Sequence, residues 1–198
     1  MSSHKPFIIS VTGAHSAVGK TTLCTALLKK LKGFGAIKFT KTPLYTALID
    51  DINILNSKGK DTALFLESGA PRVIWIQSPY RELKAVLDMA VSRMSDLQGF
   101  IVEGNSPVDF LKSHLIIFII GSKGEIKPSA IGVSKKAHII VVNSSKQTET
   151  PPCLSGMGER DRKVFWIDLM REECEINEFF SFVKKRINKE QYSKKDDQ

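Results

Sequence analysis

Apolar residues fall in two rhythms along the 198-residue chain. Short, nearly unbroken runs occur at 7–11, 34–39, 73–77, 99–102, 115–120, 137–142 and 163–167. Runs as apolar as 7–11 and 115–120 leave no polar face for water, so they predict central strands covered on both sides. Between the runs, apolar residues recur at helical spacing. Leu23, Leu27, Leu28 and Leu31 predict a helix over 21–31, with Lys29, Lys30 and Lys32 on its wet face and Gly33 closing it. Leu83, Val86, Leu87, Ala90 and Met94 predict another over 80–95. Ile176, Phe179, Phe180, Val183 and Ile187 predict a last one over 173–187. A short helix over 62–67 is expected to be capped by Asp61 and ended by Ser68 and Gly69. Pro128 opens a single helical turn. The stretch 44–55 keeps neither rhythm and reads as irregular or partly helical. Residues 144–162, with Pro151, Pro152, Gly156 and Gly158, read as a long loop. Strands alternating with helices, without tight hairpin turns, define an α/β chain: a mostly parallel sheet of about seven strands flanked by helices. Such sheets bind ligands at the carboxyl ends of their strands. The pattern predicts one domain over 1–190 and a flexible tail at 191–198.

The chemistry concentrates where the first run meets the first stripe. Gly13, Ala14, His15, Ser16, Ala17, Val18, Gly19, Lys20, Thr21 and Thr22 leave the strand and open the helix. Counted from Ala14, a small residue and four others precede Gly19-Lys20-Thr21, which is the phosphate-loop pattern with alanine in its first small position. A curled run of backbone N–H groups and the positive end of a helix dipole suit a dense anion. Gly19 admits close backbone approach. Lys20 is expected near the terminal phosphates of a purine triphosphate, and the Thr21 hydroxyl on Mg²⁺. His15 and Ser16 contribute loop backbone, the His15 ring being read as an ordinary loop group.

A second acidic group should stand at another strand end. Glu103 terminates the run 99–102, with Gly104 free to turn sharply, and is the leading candidate for metal and catalysis. Asp61 is the next metal candidate, although a plain helix cap explains it equally well. Lys38 and Lys41, at the end of the second strand, are candidate cations for the nucleotide or an acidic substrate. Asn143 follows the sixth strand, from which many phosphate-loop proteins read a purine edge. The guanine-reading order Asn-Lys-any-Asp is absent, which leaves ATP and GTP open.

Composition narrows the classes. Hydrophobic residues make up 42% and charged residues 25%, ordinary for a globular chain. The net charge of +8 draws partly on Lys184, Lys185, Arg186, Lys194 and Lys195. No aromatic-basic ribonucleoprotein motif or zinc finger accompanies it, which argues against a nucleic-acid partner. No apolar run approaches a membrane span of about 20 residues. Residues 1–6 carry no apolar leader. Cys24, Cys153 and Cys174 are odd in number and far apart, which fits a reducing cytoplasm.

Residues 13–22 resemble the loop of the dethiobiotin synthetase and cobyrinic acid amidase group. The middle of the chain resembles the MobB family, molybdopterin-guanine dinucleotide biosynthesis protein B. Gly59-Lys60-Asp61-Thr62 is similar to its Gly-Lys-Asp-Ser stretch, Glu67-Ser68-Gly69-Ala70 to its Ala-Gly-Ala, and Ile101-Val102-Glu103-Gly104 to its apolar strand ending in Glu-Gly. Where MobB has histidines after the second-strand lysine, this chain has Phe39-Thr40-Lys41. The resemblance spans roughly residues 6–145. It implies a P-loop NTPase fold, a homodimer, binding of GTP or ATP, and slow or accessory hydrolysis. It also implies help to a partner transferase that attaches a nucleotide to molybdopterin. Two alternatives stay open. One is an ATP-dependent carboxylate ligase like dethiobiotin synthetase, its acid held by Lys38 or Lys41. The other is a non-catalytic switch that senses the γ-phosphate through residues 40–60.

Overall fold

Phe7–Gly13 forms strand β1, inside an eight-stranded sheet; its side chains are apolar but for Ser10 and Thr12, both buried with their hydroxyls hydrogen-bonded. The computed structural model describes residues 5–145, 162–169, 171 and 176–193. After β1 come α1 (Lys20–Lys30), β2 (Phe34–Lys41), β3 (Ala47–Ile49), α2 (Ile52–Leu55), α3 (Asp61–Glu67) and β4 (Val73–Ser78). Then follow α4 (Leu83–Arg93), β5 (Gly99–Glu103), β6 (Leu115–Gly121), α5 (Pro128–Ser134), β7 (Ile139–Asn143), β8 (Lys163–Ile167) and α6 (Asn177–Ser193). The sheet order is β3-β4-β2-β5-β1-β6-β7-β8. Every neighbouring pair is parallel except β3 with β4.

Alternation along each strand sends side chains to opposite faces, and both faces are covered. Ile9 and Val11 of β1 and Ile117 and Ile119 of β6 meet α1 and α6 through Leu23, Leu27, Phe179 and Val183. On the other face, Leu83, Val86, Leu87 and Ala90 of α4 pack on Ile37, Ile74, Ile76 and Phe100. Ala130 and Val133 of α5 cover Phe118, Ile120, Ile140 and Val142. Full burial of one such aliphatic side chain contributes about 1.5–3 kcal/mol, so the central strands are strongly held.

The seven expected runs all form strands, and an eighth joins them from the unpatterned stretch 44–55. Strand β3 is only three residues long and half-buried at the sheet edge, pairing Ala47 with Gln77, Leu48 with Ile76 and Ile49 with Trp75. Its signal lies in β4, so nothing local marks it. Asp61 does not cap α3. Lys60 holds the N-cap position without a side-chain hydrogen bond, and Asp61 is the first helical residue, its carboxylate drawn to Lys38. The stripe 80–95 splits into a 3₁₀ turn, Tyr80–Glu82, and α4, because Pro79 sets an extended entry. Helix α6 runs to Ser193, into the stretch expected as tail. Most of the expected loop at 144–162, with Cys153, falls outside the described residues, as do Cys174 and 194–198. Among the described residues no helix is long and apolar enough to cross a membrane.

Candidate functional site: the phosphate loop and its acidic neighbour

Strands β1, β5 and β2 end side by side, and their last residues build the site. Val11 and Lys38 both register with Glu103, one on each side. Glu103 is buried at 3% exposure, so its carboxylate needs partners. The Thr21 hydroxyl donates to Oε2 at 3.1 Å, and Lys38 Nζ donates to Oε1 at 2.6 Å. Lys38 Nζ also lies 2.5 Å from Oδ2 of Asp61. One lysine thus ties β2, β5 and α3 together beneath the opening of α1.

The loop 14–19 is curled by two left-handed residues, Ala17 at φ 57° and Gly19 at φ 103°. Its two shoulders are clamped by asparagines. Asn105 accepts from the Gly13 N–H and donates to the Gly13 carbonyl, both at 2.9 Å. Asn143 donates to the Val18 carbonyl at 3.1 Å and accepts from the Leu169 N–H at 3.0 Å. A Cβ on Gly13 would stand 2.6 Å from Val18 Cγ1 and 3.2 Å from Lys20 Cγ. One on Gly19 would meet Leu169 Cδ1 at 2.8 Å and Asn143 Nδ2 at 3.0 Å. A Cβ at either position would therefore force these side chains to shift, and at Gly19 the backbone angle also disfavours one.

Lys20 arches over the loop and donates to the His15 carbonyl at 3.1 Å. Among the described residues no carboxylate lies within salt-bridge distance of it. Burial lowers its pKa below the ordinary 10.5, with Lys38 adding to the effect and Glu103 opposing it. Lys38 goes the other way: burial would lower it, but Glu103 and Asp61 together outweigh that and raise it. Beneath them the Cys24 thiol is fully buried. Desolvation, with Glu103 nearby, pushes it well above its ordinary 9.0, so it is an inert core group.

Ser16, Ala17, Gly19, Lys20, Thr21, Thr22, Lys38, Asp61 and Glu103 line a single cleft of about 430 Å³. Most of the sequence-derived candidates converge there; Gly13, Ala14 and Val18 are buried behind that lining, and three others lie elsewhere. Lys41 is exposed at the far end of β2, on the face opposite Lys38. The His15 ring turns to the Ser16 carbonyl. The amide of Asn143, expected at a purine edge, is committed to the loop backbone and to Leu169. Sequence reasoning passed over the role of Asn105. Its position two residues past a strand-end carboxylate, after Gly104 at φ 145°, was the available signal.

The donor set fits Mg²⁺. The Thr21 hydroxyl and the carboxylates of Glu103 and Asp61 are oxygen donors, as a hard cation demands, and phosphate oxygens complete such a shell. Among the described residues no cluster of three His, Cys, Asp or Glu stands ready to hold a metal by itself.

No family model and no curated protein matches the sequence. Solved structures do match in shape. The "apo" form of LpxK from Aquifex aeolicus in complex with ATP superposes with a TM-score of 0.52 at 18% identity, over 82% of this chain and 54% of that one. HypB from Helicobacter pylori in complex with nickel gives 0.63 at 9% identity, over 94% and 89%. This chain thus spans about half the length of LpxK. At these identities the likeness is one of architecture: an α/β P-loop NTPase fold with the phosphate loop after its first strand.

Proposed function

We propose that the chain binds a purine nucleoside triphosphate, ATP or GTP, with Mg²⁺ and hydrolyses it slowly. It would act in the cytoplasm, as a homodimer, as an accessory nucleotide-binding protein of molybdenum-cofactor maturation beside a partner transferase. The observation that carries the nucleotide reading is the meeting of Lys20, Thr21, Lys38 and Glu103 around one curled loop. Lys20 supplies positive charge to the terminal phosphates, and the loop N–H groups orient them. Thr21 and Glu103, with Asp61 beyond, would hold Mg²⁺, which would neutralise charge between the outer phosphates. The same geometry supports slow turnover. Both Glu103 oxygens are engaged, by Thr21 and Lys38, so the carboxylate is poorly placed to act as a base toward water. The cofactor-maturation role rests on the resemblance of residues 59–70 and 101–104 to MobB.

Calorimetry with ATP and GTP in Mg²⁺, on wild type and Lys20→Ala, tests the reading. Saturable heat is expected from wild type and none from the variant. Equal, negligible heats for both proteins would overturn it. A carboxylate-ligase reading is favoured by one feature, a second cleft that opens beside Lys38. Turnover stimulated by a small acid would support that reading over slow, flat hydrolysis.

A further inference from the structure

On the far side of Lys38 and Asp61 from the phosphate loop lies a separate cleft of about 210 Å³, walled by Lys38, Thr40, Lys60, Asp61, Thr62 and Trp75. Register builds it. Lys38 and Trp75 are paired across β2 and β4, and Thr40 is on the same face of β2 as Lys38. The donors in it are only partly used. The Trp75 indole N–H donates to Thr40 Oγ1 at 3.0 Å, which leaves the Thr40 hydroxyl proton for another acceptor. Lys60 Nζ sits 4.9 Å from the Trp75 ring centroid and makes one long hydrogen bond, 3.3 Å, to the Ile54 carbonyl. Among the described residues no carboxylate lies within salt-bridge distance of it. Lys38 gives two of its three protons to Asp61 and Glu103. Thr62 is spent, its hydroxyl donating to the Leu55 carbonyl at 2.6 Å.

Charge decides what such a cleft takes. Of the charged residues that line the cleft, Lys38 is paired with Asp61, so the charge of Lys60 is in excess. A cation, a hydroxyl donor and a flat indole wall converge on one space. The volume lies below the roughly 300–1,000 Å³ of pockets for drug-sized ligands, too small for a second nucleotide. We propose that this cleft binds a small carboxylic acid, its carboxylate on Lys60 and Thr40 and its body against the Trp75 indole. Lys38 is the wall it shares with the phosphate cleft, so the acid lies next to the terminal phosphate of a nucleotide held by the loop. That adjacency rests on the nucleotide reading; the binding of the acid does not.

The test uses the nucleotide-free full chain. Trp75 and Trp166 are its two tryptophans, so Trp166→Phe leaves Trp75 as the sole reporter. Succinate, glutarate and benzoate are titrated, with inorganic phosphate and benzamide as controls, and calorimetry on the unsubstituted chain repeats the measurement without relying on the variant. At least one acid is expected to shift Trp75 emission saturably at millimolar concentration or below, and benzamide is not. Lys60→Gln should weaken that acid about tenfold, and Thr40→Val should weaken it by less, as loss of a charged and of a neutral hydrogen bond would. The assignment is overturned by no saturable response to any acid, by an equal response to benzamide or to inorganic phosphate, or by unchanged affinity in both variants. Because nucleotide is absent, this outcome is independent of the calorimetry with ATP and GTP.

Discussion

Glu103 meets three demands at once, holding the start of α1 through Thr21, the end of β2 through Lys38, and a place for a metal. Glu103→Gln keeps the shape and removes the charge while Lys38 still has Asp61. The expected loss is about 3 kcal/mol, the lower end of the cost of breaking a buried pair, and urea unfolding measures it. Lys20 carries a pH signature. Its folded pKa lies below 10.5, so its charge penalises the fold at all lower pH, and that penalty fades as the pH rises toward 10.5. A bound triphosphate needs the charged form. Nucleotide affinity should therefore hold through neutral pH and fall on the alkaline side, with its onset below 10.5, as titration calorimetry across that range would show. An onset at or above 10.5 would contradict the burial of Lys20. Lys38 is opposite in sign: its stabilising pair is intact below 10.5 and is lost only as the pH climbs through its raised value. Gly13→Ala should fold with weakened nucleotide binding, because its Cβ competes with Val18 and the Lys20 stem for one space.

Between elements, the asparagines matter more than their neighbours in sequence indicate. Asn143→Ala leaves the Val18 carbonyl and the Leu169 N–H without their partner, at an expected cost of about 1–3 kcal/mol in thermal or urea unfolding. Nucleotide affinity should fall equally for ATP and GTP. A change in base preference at unchanged stability would instead mean that the side chain reads the purine. The contrast shows what was legible beforehand. β1 and β6 announced themselves because burial on both faces leaves little room for polar residues, and the loop because phosphate dictates residue types over a short span. β3 was invisible, since three half-buried edge residues carry no period and their partner is β4. The bond between Asp61 and Lys38 was equally hidden, because an N-cap is a local explanation and the lysine arrives on another element. Asn105 and the Trp75 cleft depend on strand register, which no single stretch of sequence encodes.

Across the whole molecule, stability should be graded from the centre of the sheet outward. Amide hydrogen exchange is expected to be slowest in β1, β5 and β6, whose side chains are almost all buried, and fastest in β3 at the edge. Uniform protection across the sheet would contradict that gradient. Every recognisable signature of the chain lies before residue 146, yet the grip is finished from further on. Leu169 supplies the N–H that orients Asn143, and its side chain lies close against Gly19. A fragment ending at Ser145 would keep each signature letter and lose the prop that holds Asn143 against the turn. Such a fragment should show neither a sharp melting transition nor heat with ATP or GTP. The turn just past the last strand is thus the keystone of an arch whose visible stones all stand at the other end of the chain.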